Sequence, residues 1–359
     1  MSPILSQFAL QSPVGDPRPL KVGLINDSYV VPALQEGAPS YFLQKINHHV
    51  FTDVEALQRN IAVVTDHIRE KLRVQGAGDI DRRVLRLVPT RTGKLYCQDE
   101  ACDYWRMYLW IDGRSLETIS AESARWTGEA FGQFQQMLSD LPAESLTESI
   151  PNFHNVGFRV QQLQEAVTAD AAGRVREQMA LVDKLLSRAE EMCLVQRFYQ
   201  EGKIPKRINH CDTKVNNVLF DTDGSVLCIV DLDTVMPGFV VSDFGDFMRT
   251  AASTAPEDEP DLDNIHVRMD IFEANASGYL KTATFLTPLE KKLLPFGCLM
   301  MSYMQAVRFL TDYLNGDTYY KIQYPQHNLV RTKAQVRLLE EQDKVLEQMK
   351  IIISRYERS

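Results

Sequence analysis

Residues 209–220 read NHCDTKVNNVLF, and eleven residues further on the chain reads DLDTVMPG (231–238). Between them DTDGS (221–225) is turn chemistry, flanked by the apolar runs VLF (218–220) and VLCIVD (226–231), so the stretch predicts a two-stranded hairpin. Pairing Phe220 with Val226 sets Asn217 opposite Cys228 or Ile229, with Asp231 a residue or two beyond. Asn217 then enters the hairpin and Asp231 leaves it at the same end, and Asp212 lies in the loop just before. Buried carboxylates and amides are costly unless something binds them. Oxygen donors without Cys or His partners favour a hard cation such as Mg²⁺, which keeps several waters and takes its other oxygens from phosphates. The remaining carboxylate, Asp212, is placed to accept a proton from an attacking hydroxyl. The plainer alternatives are an Asx turn at Asp212 and an ordinary strand end at Asp231.

Composition bounds the rest. A chain of 359 residues has room for about two domains or one large bilobal unit. With 44% apolar and 24% charged residues it reads as an ordinary globular protein. A formal charge of -9 and a pI near 5.4 argue against nucleic acid as the main partner, since phosphate backbones need a clustered positive field. The cysteines at 97, 102, 193, 211, 228 and 298 form no CxxC pair and read as reduced thiols. MSPILSQFALQSP (1–13) has neither a basic n-region nor a long apolar run, and no stretch approaches 18 uninterrupted apolar residues. The expectation is a cytoplasmic protein with small-molecule partners and no membrane contact.

Along the chain, LKVGLINDSYVV (20–31) and SYFLQKIN (40–47) read as strands joined through QEGAP. Val54, Leu57, Ile61, Val64, Ile68 and Leu72 share one face of a helix over 52–72, with Thr52 or Asp53 as N-cap. RVLRLVP (83–89), KLYCQ (94–98) and YWRMYLWI (104–111) follow as strands; Trp105, Tyr108 and Trp110 read as core aromatics. After 112 helical periodicity takes over, at 121–139, 160–167, 171–200, 263–282, 287–315 and 331–355. The acidic run PEDEPDLD (256–263) reads as a solvated loop. The fold class is α+β and bilobal: a small antiparallel sheet with one main helix, then a larger, mostly helical lobe.

A catalytic-loop Asp, an Asn five residues on and an Asp after the next strand are the parts of a phosphoryl-transfer site of the protein-kinase type. His210-x-Asp212-x-x-x-x-Asn217 with Ile229-Val230-Asp231 resembles the aminoglycoside phosphotransferase-like superfamily, which shares the kinase bilobal fold. Taken with DFGDFMRTAAST (243–254), VRFLTDYLNGDTYY (307–320), YPQHNLVRT (324–332), GLINDSYVV (23–31) and YFLQKIN (41–47), the chain resembles the N-acetylhexosamine 1-kinases. The resemblance implies a nucleotide-binding lobe over 1–111 and a helical lobe over 112–359 carrying the catalytic loop and sugar site. It implies transfer from MgATP to the anomeric hydroxyl of GlcNAc or GalNAc, giving the α-1-phosphate and ADP. It assigns Asp212 as base, Asn217 and Asp231 as metal ligands, Asp233 to metal or sugar, and Arg308 and Tyr319 to the sugar.

The first hairpin lacks GxGxxG, so Gly23, Asn26, Asp27 and Ser28 are the expected phosphate-side groups. The superfamily's basic position on the third strand falls on Gln44. Lys45 points to the opposite face and could replace it only through a bulge, with Glu55 as partner. The backbone at Trp110, Ile111 and Asp112 is the expected adenine hinge. His210 reads as a structural residue bonding backbone near Asp231. Lys214 is either a partner of the γ-phosphate or a surface lysine. SDFGD reads as the cap of a following helix, with a pairing to Arg249. Arg308 has Asp312 as a plain i+4 alternative. Rival readings are another alcohol kinase (of choline, homoserine or an aminoglycoside), a non-catalytic sugar sensor and a glycosidase.

Overall fold

Two-residue alternation in YFLQKI and YWRMYL gives the N-terminal sheet two unlike faces. The computed structural model describes residues 2–20, 25–116 and 118–356. The chain begins with α1 (Ser2–Leu5), β1 (Arg18–Leu20), β2 (Asp27–Val31), β3 (Tyr41–Ile46), α2 (Val54–Val74), α3 (Ile80–Arg83), β4 (Cys97–Gln98) and β5 (Tyr104–Leu109). It continues with α4 (Ala121–Met137), α5 (Val156–Ala169), α6 (Val175–Ser187), α7 (Ala189–Met192), α8 (Leu194–Gln200), β6 (Arg207–Asn209), β7 (Val218–Phe220), β8 (Val226–Ile229) and β9 (Met236–Gly238). It ends with α9 (Val240–Ala251), α10 (Met269–Thr282), α11 (Pro288–Leu314) and α12 (His327–Arg355). This is the α+β order expected. Packing divides it into two compact units, one of Met1–Leu116, Asp140–Pro151 and Asn217–Met236, the other of Glu117–Ser139, Asn152–Asn216 and Pro237–Ser359. The β7–β8 hairpin, which a division at 111/112 leaves with the helices, therefore packs in the first unit.

In the first unit the antiparallel sheet runs β1-β2-β3-β5-β4. Tyr41 and Leu43 of β3 join Trp105, Met107 and Leu109 of β5 and Phe8, Val31 and Val88 in an apolar core. The alternate residues Ser28, Gln44 and Arg106 stand in one cross-strand row on the other face. All six apolar positions assigned to the helix over 52–72 are buried in α2, and Asp53 caps it by accepting from the Ala56 N–H at 2.9 Å. The strand expected at 83–89 is absent. Its start is α3, and the rest bonds β5 only through the Val88 N–H to Met107 (2.8 Å) and the Leu109 N–H to Arg86 (3.0 Å). Pro89 lacks an N–H and stops any longer ladder.

The second unit is organised on α11. This helix opens with a capping box between Thr287 and Glu290 and Pro288 in its first turn. It is long and apolar enough by composition to cross a membrane, yet its most apolar window is 94% buried inside the fold, which makes it a core helix. Several helical boundaries differ from the periodicity: 171–200 breaks into α6, α7 and α8, and α10 starts at Met269. The clearest correction is α9. Asp243 and Asp246 lie inside this helix, not in a cap before it, and its polar face is buried along with its apolar one. The acidic run is a largely exposed loop, as expected, although Glu257 pairs with Arg249 and Asp258 meets the buried His327 at 3.0 Å.

Helix α9 reaches α11 through glycines. A Cβ on Gly297 would lie 2.2 Å from the Val241 carbonyl oxygen, and one on Gly245 would lie 2.1 Å from that of Gly297. Gly297→Ala gains about 1 kcal/mol in helix propensity but forces two backbones apart. It is expected to lose on the order of 1–3 kcal/mol net in urea unfolding. Gly78→Ala, in open space, is the control expected to leave the transition unmoved.

Candidate active site

The loop carrying Asp212 is held by Asp243. One Asp243 oxygen accepts from the His210 N–H at 2.8 Å and from Gln135 Nε2 at 2.9 Å; the other accepts from the Cys211 N–H at 2.9 Å. Thr213 Oγ1 donates back to the Asp243 carbonyl at 2.6 Å. These bonds sustain Cys211 at φ 63°, a left-handed backbone that side chains resist. Burial pushes the Asp243 carboxyl up to about 7, against the pull of the donors. His210 is buried, edge-on to Phe131 and Phe134, and its Nδ1 accepts from the Asp212 N–H at 3.3 Å. Lys214 Nζ lies 2.8 Å from Asp212 Oδ1. Burial lowers the Lys214 pKa, but the Asp212 and Asp246 carboxylates outweigh it and hold the ammonium above its ordinary range.

In the first unit the hairpin carries a bulge. Phe220 pairs with Val226 as expected, but Leu219 then meets Cys228 and Val218 meets Ile229. The Val230 N–H donates to the Asn217 carbonyl at 2.9 Å, which brings Asp231 one position closer to Asn217 than an unbroken register allows. Asp231 adopts φ 62° and Asn217 is buried. An amide oxygen and a carboxylate, without sulfur or imidazole, suit Mg²⁺, which accepts few protein ligands and completes its shell elsewhere. Among the described residues no three His, Cys, Asp or Glu side chains gather as a metal cage.

The phosphate-side groups read from sequence are largely committed to each other. Gln44 donates to Ser28 Oγ at 3.1 Å and accepts from Arg106 Nε at 3.0 Å and Nη2 at 2.7 Å. Arg106 forms a buried ion pair with Asp233. Asn26 Nδ2 donates to Asp233 at 2.6 Å, while its oxygen accepts from the Asn47 N–H at 2.9 Å. Ser149 Oγ donates to the Asp233 carbonyl at 2.9 Å. Asp233 is therefore a buried anchor of its own turn, and Asn26, Ser28 and Gln44 are parts of the same network. Asp27 is exposed beside them, and Gly23 lies outside the described residues. No bulge interrupts β3, so Lys45 stays on the opposite face and pairs with Asp103 at 2.5 Å; Glu55 stands exposed in the first turn of α2. At the expected hinge the Trp110 N–H donates to the Ser40 carbonyl at 2.9 Å, and the Asp112 carbonyl accepts from Arg82 at 3.1 Å. Sequence reasoning passed over Arg106. Its signal was a lone charge in an otherwise apolar strand, at the position alternating with Trp105 and Met107.

In the second unit Arg308 does not pair with Asp312. That carboxylate is taken by the N–H groups of Thr318, Tyr319 and Tyr320 at 2.8–2.9 Å and by Asn328 Nδ2 at 2.8 Å. The loop so held presents Tyr319 and Tyr320, and the Arg308 guanidinium lies 5.2, 5.9 and 5.6 Å from the ring centres of Phe153, Tyr319 and Tyr320. Arg159 is close by: burial first, and Arg308 second, push its pKa down to about 10. His154 stacks on Phe153, and burial pushes its pKa down to about 4 despite the opposing fields of Asp246 and Asp212.

A small antiparallel sheet, a helical unit and a His-x-Asp-x-x-x-x-Asn loop ahead of a hairpin ending in Asp define a kinase-like phosphotransferase fold. The chain belongs to the phosphotransferase enzyme family, which residues 16–273 match. Among solved structures it is similar to an aminoglycoside phosphotransferase from Alicyclobacillus acidocaldarius subsp. acidocaldarius DSM 446, at 12% identity and a TM-score of 0.65, covering 99% of this chain and 96% of that one. It is similar to a microcompartment-associated aminopropanol kinase at 17% identity and a TM-score of 0.63, covering 98% of each. It is also similar to choline kinase from Cryptosporidium parvum Iowa II, at 13% identity and a TM-score of 0.57, covering 94% and 92%. At these identities the shared property is the fold.

The environment of His154 generates a pH dependence. Unfolded, the imidazole takes up a proton near pH 6.5; folded, only near 4. The unfolded state binds more protons between those values, so stability rises with pH across that window and is lost as pH falls through it. Urea midpoints at pH 4.5 and 7 are expected to differ less in His154→Gln than in the parent.

Proposed function

We propose that this chain phosphorylates the anomeric C1 hydroxyl of an N-acetylhexosamine, GlcNAc or GalNAc, using MgATP and releasing ADP. The observation that carries this reading is the aromatic-walled Arg308. Among the described residues neither Arg308 nor Arg159 is paired with a carboxylate, whereas Asp212 is paired with Lys214, and Asp246 and Glu257 with Arg249. The acceptors named for the similar structures, aminopropanol, choline and aminoglycosides, carry amines, and two guanidinium groups without counter-ions repel a cation. An N-acetylated sugar is neutral. Its hydroxyl and carbonyl oxygens accept from guanidinium N–H groups, and its ring faces pack on Tyr319 and Phe153.

In this reading Asp212 takes the proton of the anomeric hydroxyl as that oxygen attacks the γ-phosphorus. The new O–P bond forms as the bond to the β,γ-bridging oxygen breaks, leaving the sugar α-1-phosphate and ADP. A hemiacetal hydroxyl is more acidic than an ordinary alcohol, so one carboxylate suffices as base. Lys214 fixes the orientation of that carboxylate. Asn217 and Asp231 would hold Mg²⁺, which when bound would neutralise charge on the phosphates. His154, kept neutral, adds no third positive charge beside the two arginines. The six free cysteines fit a reducing cytoplasm and a role in amino-sugar salvage.

Incubation with MgATP and a panel of GlcNAc, GalNAc, choline, ethanolamine and an aminoglycoside, read by phosphorus NMR, is expected to give a sugar 1-phosphate and no phosphorylated amine. Turnover of choline without GlcNAc would replace the sugar reading by an amine-kinase one. Asp212→Asn is expected to lose about 10²–10⁴-fold in kcat with sugar binding retained by calorimetry. Full activity in that variant would remove Asp212 as base.

A further inference from the structure

Arg106 is one of the largest fully buried side chains in the protein, at 1% exposure. Its ion pair with Asp233 strips water from both charges, and such pairs seldom stabilise a fold relative to apolar residues of similar size. The pair is therefore a weak device for holding the sheet together. Arg106 lies on the face opposite the apolar core, in one row with Ser28 and Gln44. Gln44 accepts two of its N–H groups and so fixes the guanidinium plane. Asp233 takes the charge two residues beyond Asp231, and Asp231 itself lies within the electrostatic reach of the guanidinium.

Protein kinases carry the phosphate-side cation as a lysine on the third strand, with a helix glutamate as counter-ion. Here the third strand offers neutral Gln44 on this face, and Lys45 is turned away onto Asp103. We propose that Arg106 is the positive charge of the nucleotide site, delivered from β5 instead of β3. Gln44 orients it, Asp233 balances it, and its field acts on Asp231 and on the phosphates of ATP without contact. Arg106 is thus a positioning residue. The inference rests on the kinase reading above and adds to it the source of the missing cation. A buried charge is screened less by water and salt than an exposed one, so its field acts across several ångströms.

The test is calorimetric titration of the full chain with MgADP, alongside melting temperatures. Arg106→Gln with Asp233→Asn removes both charges together, so no buried charge is orphaned. This neutral pair is expected to bind MgADP at least fivefold more weakly. Adding Gln44→Lys returns a cation to the neighbouring place in the row and is expected to recover most of that loss. A change below fivefold in the folded neutral pair, or a loss that Gln44→Lys does not recover, overturns the proposal and leaves the pair a structural bridge. If the neutral pair does not fold, Arg106→Lys decides. It keeps the charge without both bonds to Gln44, so binding within fivefold of the parent supports the proposal, and a larger loss at unchanged melting temperature overturns it. Failure of the parent protein itself to bind MgADP would instead remove the kinase reading, a result separate from any difference among variants.

Discussion

A carboxylate buried away from water has only the donors that the protein assigns to it, and Asp243 is the case on which the second unit depends. Its two oxygens gather the N–H groups of His210 and Cys211 and the amide of Gln135, and its carbonyl takes the hydroxyl of Thr213. Asp243 sits on α9, whose position is set by glycine contacts with α11. The placement of Asp212 is therefore traceable through a few hydrogen bonds to the closeness of two helices. Packing at a crossing of backbones and chemistry at a loop are one problem here, because the loop has no regular structure of its own to hold it.

The two units handle positive charge in different ways. In the first, Arg106 is matched by Asp233 and steered by Gln44, a closed polar network of the kind that is costly unless every member is satisfied. In the second, Arg308 is walled by Phe153, Tyr319 and Tyr320. Ring faces attract a cation without neutralising it, so this guanidinium keeps its charge, with one N–H donated to Gln305 at 3.2 Å. Asp312 shows the cost of such an arrangement. One buried carboxylate is devoted wholly to three successive N–H groups and an amide, so that two tyrosines are held beside the arginine.

Much of this was readable in the residues. The spacing of Val54, Leu57, Ile61, Val64, Ile68 and Leu72 located α2 and its buried face, because an amphipathic helix writes its core side into the sequence. The DTDGS turn placed the hairpin, and the error of one position in its register came from a bulge that no residue type announces. Helix α9 has the spacing of an amphipathic helix, with Val240, Val241, Phe244, Phe247, Met248 and Ala251 on one face; what the residues do not announce is that its polar face, Ser242, Asp243, Asp246 and Arg249, is buried as well. The strand expected at 83–89 has the right composition but lacks a partner ladder, which is a tertiary property. Asn26, Ser28 and Gln44 were legible as polar groups on the proper loop and strand. That they face one another and Arg106 depends on which strands are neighbours, and β5 follows β3 in space but not in sequence. The acidic run at 256–263 has the composition of the solvated loop it forms; that Glu257 and Asp258 pair from there with the buried Arg249 and His327 depends on tertiary neighbours.

The three-segment make-up of the first unit bears on biosynthesis. The polypeptide passes from one unit to the other at 116/117, 139/140, 151/152, 216/217 and 236/237. Neither unit is a contiguous stretch that could be excised and expressed as a fragment. During translation the sheet is made early, but the segment bearing Asn217 and Asp231 leaves the ribosome only after the better part of the chain has been synthesised. N-terminal-first folding, common for beads-on-a-string proteins, would complete neither unit here, since each ends on a later segment. A nascent chain stalled before the hairpin is made would expose the first-unit surface that the hairpin later covers.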